Sequence, residues 1–231
     1  MRSKTVVSSG LFITFEGIEG VGKTTHISHL KRFLQKYNYD VEVTREPGGT
    51  PAAEAARHVL LSCGVNEFGD TAEAIVFSAA RLNHVENVIR PALMEGKILL
   101  CDRFLDSFYA YQGERNNSQR VLLDYLQRIS VKEIVPDCTI ILDLPVDVGL
   151  KRIQNRCSSS KSNGLDHFEV EDVMIHERRR QIFLDIACKQ PERCHVIDAA
   201  RSFQNVAANI VDIVWELVQK RVYPLSFKKD I

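Results

Sequence analysis

No apolar run in the chain is long enough to span a bilayer. The opening MRSKTVVSSG carries positive charge without a sustained hydrophobic stretch, so no secretory signal is expected and the chain reads as cytoplasmic. Excess charge is missing too. Thirty Lys and Arg balance thirty Asp and Glu, so no bulk field favours nucleic acid or an anionic membrane, and neither is expected as a partner. The six cysteines, Cys63, Cys101, Cys138, Cys157, Cys188 and Cys194, form no CxxC pair. Several sit in apolar runs, which suits reduced core thiols and excludes a disulfide framework. There is no internal repeat, and Ser158-Ser159-Ser160 is the one low-complexity patch. What remains is a chain of 231 residues, 45% hydrophobic, enough for one α/β core spanning residues 1–231 without a second domain.

The clearest chemistry lies in GIEGVGKTT. Gly17, Gly22, Lys23 and Thr24 satisfy Gly-x4-Gly-Lys-Ser/Thr, the pattern of a loop that wraps phosphate. Glycines let successive backbone N–H groups turn inward, and the helix that follows adds the positive end of its dipole. Gly17, Glu19, Gly20, Val21, Gly22, Lys23, Thr24 and Thr25 are therefore the expected triphosphate-binding residues. Lys23 should bridge the β- and γ-phosphates, and the Thr24 hydroxyl should ligate Mg2+. Leu11–Phe15 reads as a buried strand ahead of the loop, and 26–37 as a helix behind it.

Further strands are predicted at 40–44, 97–101, 138–144 and 195–197. Helices are predicted at 52–61, 71–95 (with a bend near Pro91), 118–131, 147–156, 169–188 and 203–220. Five strands separated by helices imply a parallel sheet covered on both faces, with ligands at the carboxyl ends of the strands. The phosphate loop, Arg45, Asp102 and Asp143 fall along that edge. Arg45 opens Arg-Glu-Pro-Gly-Gly-Thr, and Asp102-Arg103 follows the third strand. Asp102 can hold a Mg2+-bound water, and Arg103 can make a bidentate contact with phosphate. Two strand-end arginines besides the loop lysine point to a second anionic substrate. In FSAAR, Phe77 and Arg81 are four residues apart on one helix face. They could stack on a base and read its edge, or they could be an ordinary core residue and a solvated one.

FEGIEGVGKTT, TREPGGT, FSAAR and DRFLDSFYAYQG, in this order and spacing, resemble bacterial thymidylate kinases, and the likeness runs from about Leu11 to the closing helix. The resemblance implies a P-loop NTPase fold, transfer of the γ-phosphate of ATP to dTMP with Mg2+, and a homodimer built on helices that include the long one. It places Glu19 near the deoxyribose 3′-hydroxyl, and Arg45 and Arg103 on the dTMP phosphate. Phe77 stacks on thymine, Arg81 reaches its O4 and Pro47 lines the pocket. Ser107 and Gln112 fall near the base, and Tyr111 near C2′, where it crowds a ribose hydroxyl. Phe108 stands where relatives commonly carry a polar residue.

The polar segment CSSSKSNGLDH suits a mobile lid at about 152–168. Phosphoryl transfer needs cations on the migrating group. Some members of this family carry an arginine in the loop where this chain has Gly20, so the role is expected to pass to the lid. Arg156 is the first choice and Arg152 the second, against the adenine ring. Lys161 is also available, and His167 stands where a lid arginine is common. A GTPase switch would need Asp-x-x-Gly and Asn-Lys-x-Asp, and neither occurs. Other nucleoside monophosphate kinases, and a non-kinase P-loop ATPase, remain the competing readings.

Overall fold

The computed structural model describes residues 10–61, 69–113, 120–159 and 172–222, with the side chains of 156–159 and 222 outside the description. In chain order the elements are β1 (Leu11–Glu16), α1 (Lys23–Lys36), β2 (Val41–Arg45), α2 (Pro51–Leu61) and α3 (Gly69–His84). A π-helical turn (Val85–Ile89), α4 (Arg90–Met94), β3 (Ile98–Asp102), α5 (Leu105–Tyr111) and α6 (Arg120–Val131) follow. The chain continues through β4 (Cys138–Asp143), α7 (Val146–Ser159), α8 (Val173–Lys189), β5 (Cys194–Asp198) and α9 (Phe203–Val222).

The five strands form one parallel sheet in the order β2-β3-β1-β4-β5. The central strand β1 is buried along its whole length, whereas β2 and β5 at the edges alternate between buried and exposed positions. This is what a sheet covered on both faces requires. Alternate residues of the central strands sort onto two cores. Leu11, Ile13, Phe15, Ile98, Leu100, Ile140 and Leu142 pack with α1 and α9, while Phe12, Leu99 and Cys101 pack with the π turn and Phe104. Among the described residues no helix is long and apolar enough to cross a membrane. Cys101, Cys138 and Cys194 are buried free thiols, and Cys188 is an exposed one.

The predicted long helix is two helices joined by the π turn. Pro91 has no N–H to give and its ring crowds the preceding turn, and the chain answers by widening that turn. Arg90 N–H bonds to Val85 O, five residues back. Helix α1 starts at Lys23, three residues earlier than expected, and α5 has no counterpart in the sequence reading.

Register sets the working edge. Phe15 and Arg45 both pair with Asp102, so the ends of β2 and β3 and the start of the phosphate loop lie level. The sheet face that carries Phe12 also carries a buried polar seam. Thr14 and Thr139 share a hydrogen bond of 2.8 Å, and Arg193 meets Thr139 at 2.6 Å and Asp106 at 2.6 and 2.8 Å. Glu16 ends the seam by capping α5, accepting the Phe104 N–H at 2.8 Å and the Ser107 hydroxyl at 2.5 Å. Burial, reinforced by the charge of Asp106, raises the Glu16 pKa to about 7, against the Ser107 hydrogen bond and Arg103.

The folded protein therefore holds a proton on Glu16 that the unfolded chain releases near pH 4.5. Its contribution to stability is complete below that pH and is lost as pH rises through about 7. Glu16→Gln, which mimics the protonated form, should gain on the wild type across this window and run parallel to it above. Urea unfolding at a series of pH values measures the difference, expected to reach about 3 kcal/mol. A pH-independent difference would show that Glu16 titrates alike in the folded and unfolded chain.

Candidate active site

A cleft of 410 Å³ opens at the carboxyl edge of the sheet. The phosphate loop forms one wall with Glu19, Gly20, Gly22, Lys23 and Thr24. Arg45, Pro47, Phe77, Asp102, Arg103, Ser107, Tyr111 and Arg152 complete the predicted set that lines it. Gly17, Val21, Thr25, Arg81 and Gln112 do not. Val21 is a core residue and Thr25 faces solvent.

Lys23 is the expected bridge between the β- and γ-phosphates. It is 8% exposed, and its ammonium donates to the carbonyls of Gly17 and Ile18, both at 2.9 Å. Burial and then the charge of Arg103 push its pKa down to about 8, against Asp102, Glu19 and Glu16. The loop's own carbonyls take the lysine because an ammonium out of water needs acceptors. Thr24 donates to Asp102 Oδ2 at 2.9 Å. One hydroxyl and one carboxylate side by side suit Mg2+, which keeps water and phosphate oxygens as its other ligands.

Arg103 links the walls of the cleft. Its guanidinium donates to the Gly17 carbonyl at 3.1 Å, the Ser107 hydroxyl at 3.3 Å and Glu19 Oε1 at 3.0 Å, and it lies 4.8 Å from the Tyr111 ring centroid. Its backbone is left-handed, with φ of 70°, an uncommon conformation for a residue with a Cβ. The Tyr111 hydroxyl donates to the same Glu19 oxygen. Burial would raise the Glu19 pKa, but Arg103, His176 and Lys23 outweigh it and hold the carboxyl far below its ordinary range. Arg45 is half-exposed and paired with Glu54 at 2.9 Å, within reach of an incoming anion.

Phe77 and Arg81 share a helix face as expected, with the Arg81 Cζ 6.0 Å from the Phe77 ring centroid. Neither of the two fates considered for Arg81, on the cleft wall or in solvent, is where the structure puts it. It is 1% exposed and donates to Glu46 Oε2 at 2.7 Å, Gln127 Oε1 at 2.6 Å and the Phe104 carbonyl at 2.9 Å. A buried guanidinium requires such partners. Gln112 is likewise buried and donates to Glu73 at 2.7 Å. Phe108, the apolar departure, packs with Phe77, Leu60, Ala74 and Leu123. It sits 5.3 Å from Arg81 Cζ, a core residue behind the aromatic wall.

Sequence reasoning missed the support under the Arg-Glu-Pro-Gly-Gly-Thr turn. His84 Nδ1 lies 3.1 Å from Glu46 Oε1 and Nε2 lies 2.6 Å from Thr44 Oγ1. Burial would raise the Glu46 pKa, but Arg81 and then His84 keep it low, so the carboxylate accepts and Nδ1 carries the proton. A Cβ on Gly49 would fall 2.6 Å from the His84 ring, so the turn rests directly on the imidazole. Thr50 bonds to Asn83 at 2.6 Å and caps α2 through the Ala53 N–H. Three residues of Arg81-Leu82-Asn83-His84 thus grip one turn. The signal available in the sequence was that cluster, four residues past Phe77 on a predicted helix. Arg57, on α2, also lines the cleft and donates to the Pro47 carbonyl at 2.9 Å. The Arg152 guanidinium lies 3.3 Å from the Ala199 carbonyl. The side chain of Arg156, and Lys161, His167 and most of the expected lid, lie outside the described residues.

The family model described as thymidylate kinase matches residues 15–210. The chain is 44% identical over 214 residues to a thymidylate kinase of Bartonella quintana (strain Toulouse), covering 93% of this chain and 99% of that one. It is 45% identical over 214 residues to a thymidylate kinase of Bradyrhizobium sp. (strain ORS 278), covering 93% and 92%. Among solved structures, the thymidylate kinase of Ehrlichia chaffeensis superimposes with a TM-score of 0.69 at 33% identity, covering 89% of this chain and 99% of that one. With the phosphate loop, the paired arginines and Phe77 in one cleft, the chain belongs to the thymidylate kinase family.

Proposed function

We propose that this chain transfers the γ-phosphate of ATP to dTMP, giving dTDP and ADP for the supply of dTTP in the cytoplasm. One observation carries the reading. The phosphate loop faces Arg45, Arg103 and Phe77 across a single cleft, so two anions and an aromatic base can share it. The loop amides and Lys23 take the triphosphate, and the acceptor phosphate draws Arg45 from Glu54 and meets Arg103. Thr24 and Asp102 would hold Mg2+, whose charge offsets that of the phosphate oxygens. Phe77 and Pro47 bound the base. Arg81 stands behind Phe77, outside the cleft lining, so as the O4 donor it would have to turn an N–H past that ring when the base binds. Ser107 stands near the base, with the buried Gln112 outside the lining, while Glu19 takes the 3′-hydroxyl and Tyr111 crowds C2′.

ADP release measured over a panel of acceptors tests this, with Lys23→Ala as the inactive control. A donor at O4 faces the amino group of cytosine, and losing a charged hydrogen bond costs about 1.5–3 kcal/mol, so dCMP should be at least about tenfold worse than dTMP. Uridylate should be worse than deoxyuridylate, and Tyr111→Ala should narrow that gap. Equal turnover of dCMP and dTMP overturns the assignment.

Arg152 and Arg156 stand one turn apart on α7, which runs to Ser159. We assign Arg156 to the migrating phosphoryl group and Arg152 to the adenine side. A loop arginine has no room, because a Cβ on Gly20 would fall 2.3 Å from the Gly149 carbonyl oxygen. Arg156→Ala should lower kcat about 100-fold with little change in the KM for dTMP, while Arg152→Ala should act on the KM for ATP. The reverse pattern would exchange their roles.

The protein pairs with a second copy through α3 and α6. Val121, Tyr125 and Ile129 recur every four residues along α6, each more than half exposed, with Ile75 exposed on α3. A self-complementary apolar stripe of this kind suits a two-fold interface. Tyr125→Glu should give a monomer in sedimentation equilibrium where the wild type is a dimer, and an unchanged mass would place the interface elsewhere.

A further inference from the structure

Helix α8 reaches the cleft from behind with a side chain the acceptor reading does not use. His176 is 1% exposed, and its Nδ1 lies 3.4 Å from Glu19 Oε2. The two oxygens of Glu19 have different surroundings. Oε1 already accepts from Arg103 and from the Tyr111 hydroxyl. Oε2 is enclosed and makes no hydrogen bond among the described residues, with the imidazole as its facing group. Glu19 lines the cleft, and with Oε2 enclosed the oxygen left as its forward edge is Oε1. Arg103 and Tyr111 hold the carboxylate by Oε1, and the imidazole bounds its rotation from the Oε2 side.

The same helix supports the next member of the cluster, since Arg179 lies one turn nearly on from His176, with its Cζ 4.2 Å from the Tyr111 ring centroid. The other ring nitrogen of His176, Nε2, has no hydrogen-bond partner among the described residues. The ring therefore turns Nδ1 toward the carboxylate, at 3.4 Å, and Nε2 away from it.

We propose that His176 is a positioning residue for acceptor recognition, holding the Glu19 carboxylate so that its forward edge meets the sugar hydroxyl of the acceptor. This rests on the reading of Glu19 as the 3′-hydroxyl partner. His176 touches no substrate and acts through Glu19 alone. Its removal should therefore be felt only by acceptors that have the hydroxyl.

The test compares kcat/KM for dTMP and for its 3′-deoxy analogue in the wild type, Glu19→Ala, His176→Leu and His176→Asn. The wild type should prefer dTMP, and Glu19→Ala should abolish the preference. His176→Leu should lower kcat/KM for dTMP about tenfold and leave the analogue unchanged within about twofold. His176→Asn, whose amide places an N–H near the position of Nδ1, should restore the preference. Where the leucine variant does not fold, His176→Gln takes its place, with a loss again confined to dTMP. Equal losses on both acceptors would make His176 a packing residue and overturn the inference. A preference that survives Glu19→Ala would remove the reading of Glu19 and the inference with it. A preference lost in Glu19→Ala but intact in His176→Leu would remove the inference alone.

Discussion

Arg103 joins segments that the chain keeps far apart, and the cleft has its shape because of it. Its fork reaches the first carbonyl of the phosphate loop, the hydroxyl of Ser107 on α5 and the carboxylate of Glu19. A guanidinium can do this because its donors are fixed in a plane and it never releases its charge. The left-handed backbone at Arg103 turns the side chain back over β1 after β3 has ended. Strain of about 1–3 kcal/mol is tolerable at such a position because three acceptors and the Tyr111 ring hold the residue in place. The loop that carries Lys23 and the helix that carries Tyr111 are thereby set by one side chain.

Behind that side chain lies a layer of buried polar groups whose satisfaction makes the site rigid. Thr44, Glu46, Arg81, His84 and Gln127 form an unbroken path from the end of β2 through α3 to α6, closed by the carbonyls of Phe104 and Leu105. Each buried charge meets an opposite charge or an oriented dipole, which offsets the cost of leaving water. The seam of Glu16, Asp106, Thr139 and Arg193 does the same under α5. Both systems converge on the short stretch Phe104–Ser107. The acceptor side of the cleft is therefore built on hydrogen bonds more than on apolar packing, and one unpaired member would be felt by the others.

The sheet was legible because its signal is local. LFITFE, ILLCD and CTIILD are short apolar runs bounded by turns, and their parallel arrangement follows from the helices between them. The phosphate loop and the strand-end residues were legible because spacing in sequence fixes their place at one edge. Helix α5 was not, since seven residues carry little periodicity and the cap that starts it, Glu16, comes from a different strand. Arg81 was misplaced for a related reason. Helical spacing puts it beside Phe77, but whether it faces the cleft or the interior depends on Glu46, Gln127 and Phe104, which only the fold brings together. His84 and His176 were invisible in the same way, because a histidine on a helix has no distinguishing pattern until its partner is known.

Gly20 shows how a local constraint decides where catalytic charge can come from. Its backbone is left-handed with φ of 75°, and the space a side chain would take is filled by the backbone of Gly149 on α7. The contact is reciprocal, since a Cβ on Gly149 would fall 2.8 Å from the Glu19 carbonyl oxygen. Two glycines thus let the phosphate loop and α7 approach backbone to backbone, nearer than any pair of side chains would permit. The closeness that excludes an arginine from the loop brings the start of α7 against the phosphates' cradle. Arg152, one turn further along that helix, already lines the cleft. A loop with no room for an arginine beside Lys23 is thus met by a helix, anchored at Gly149, that brings Arg152 to the cleft.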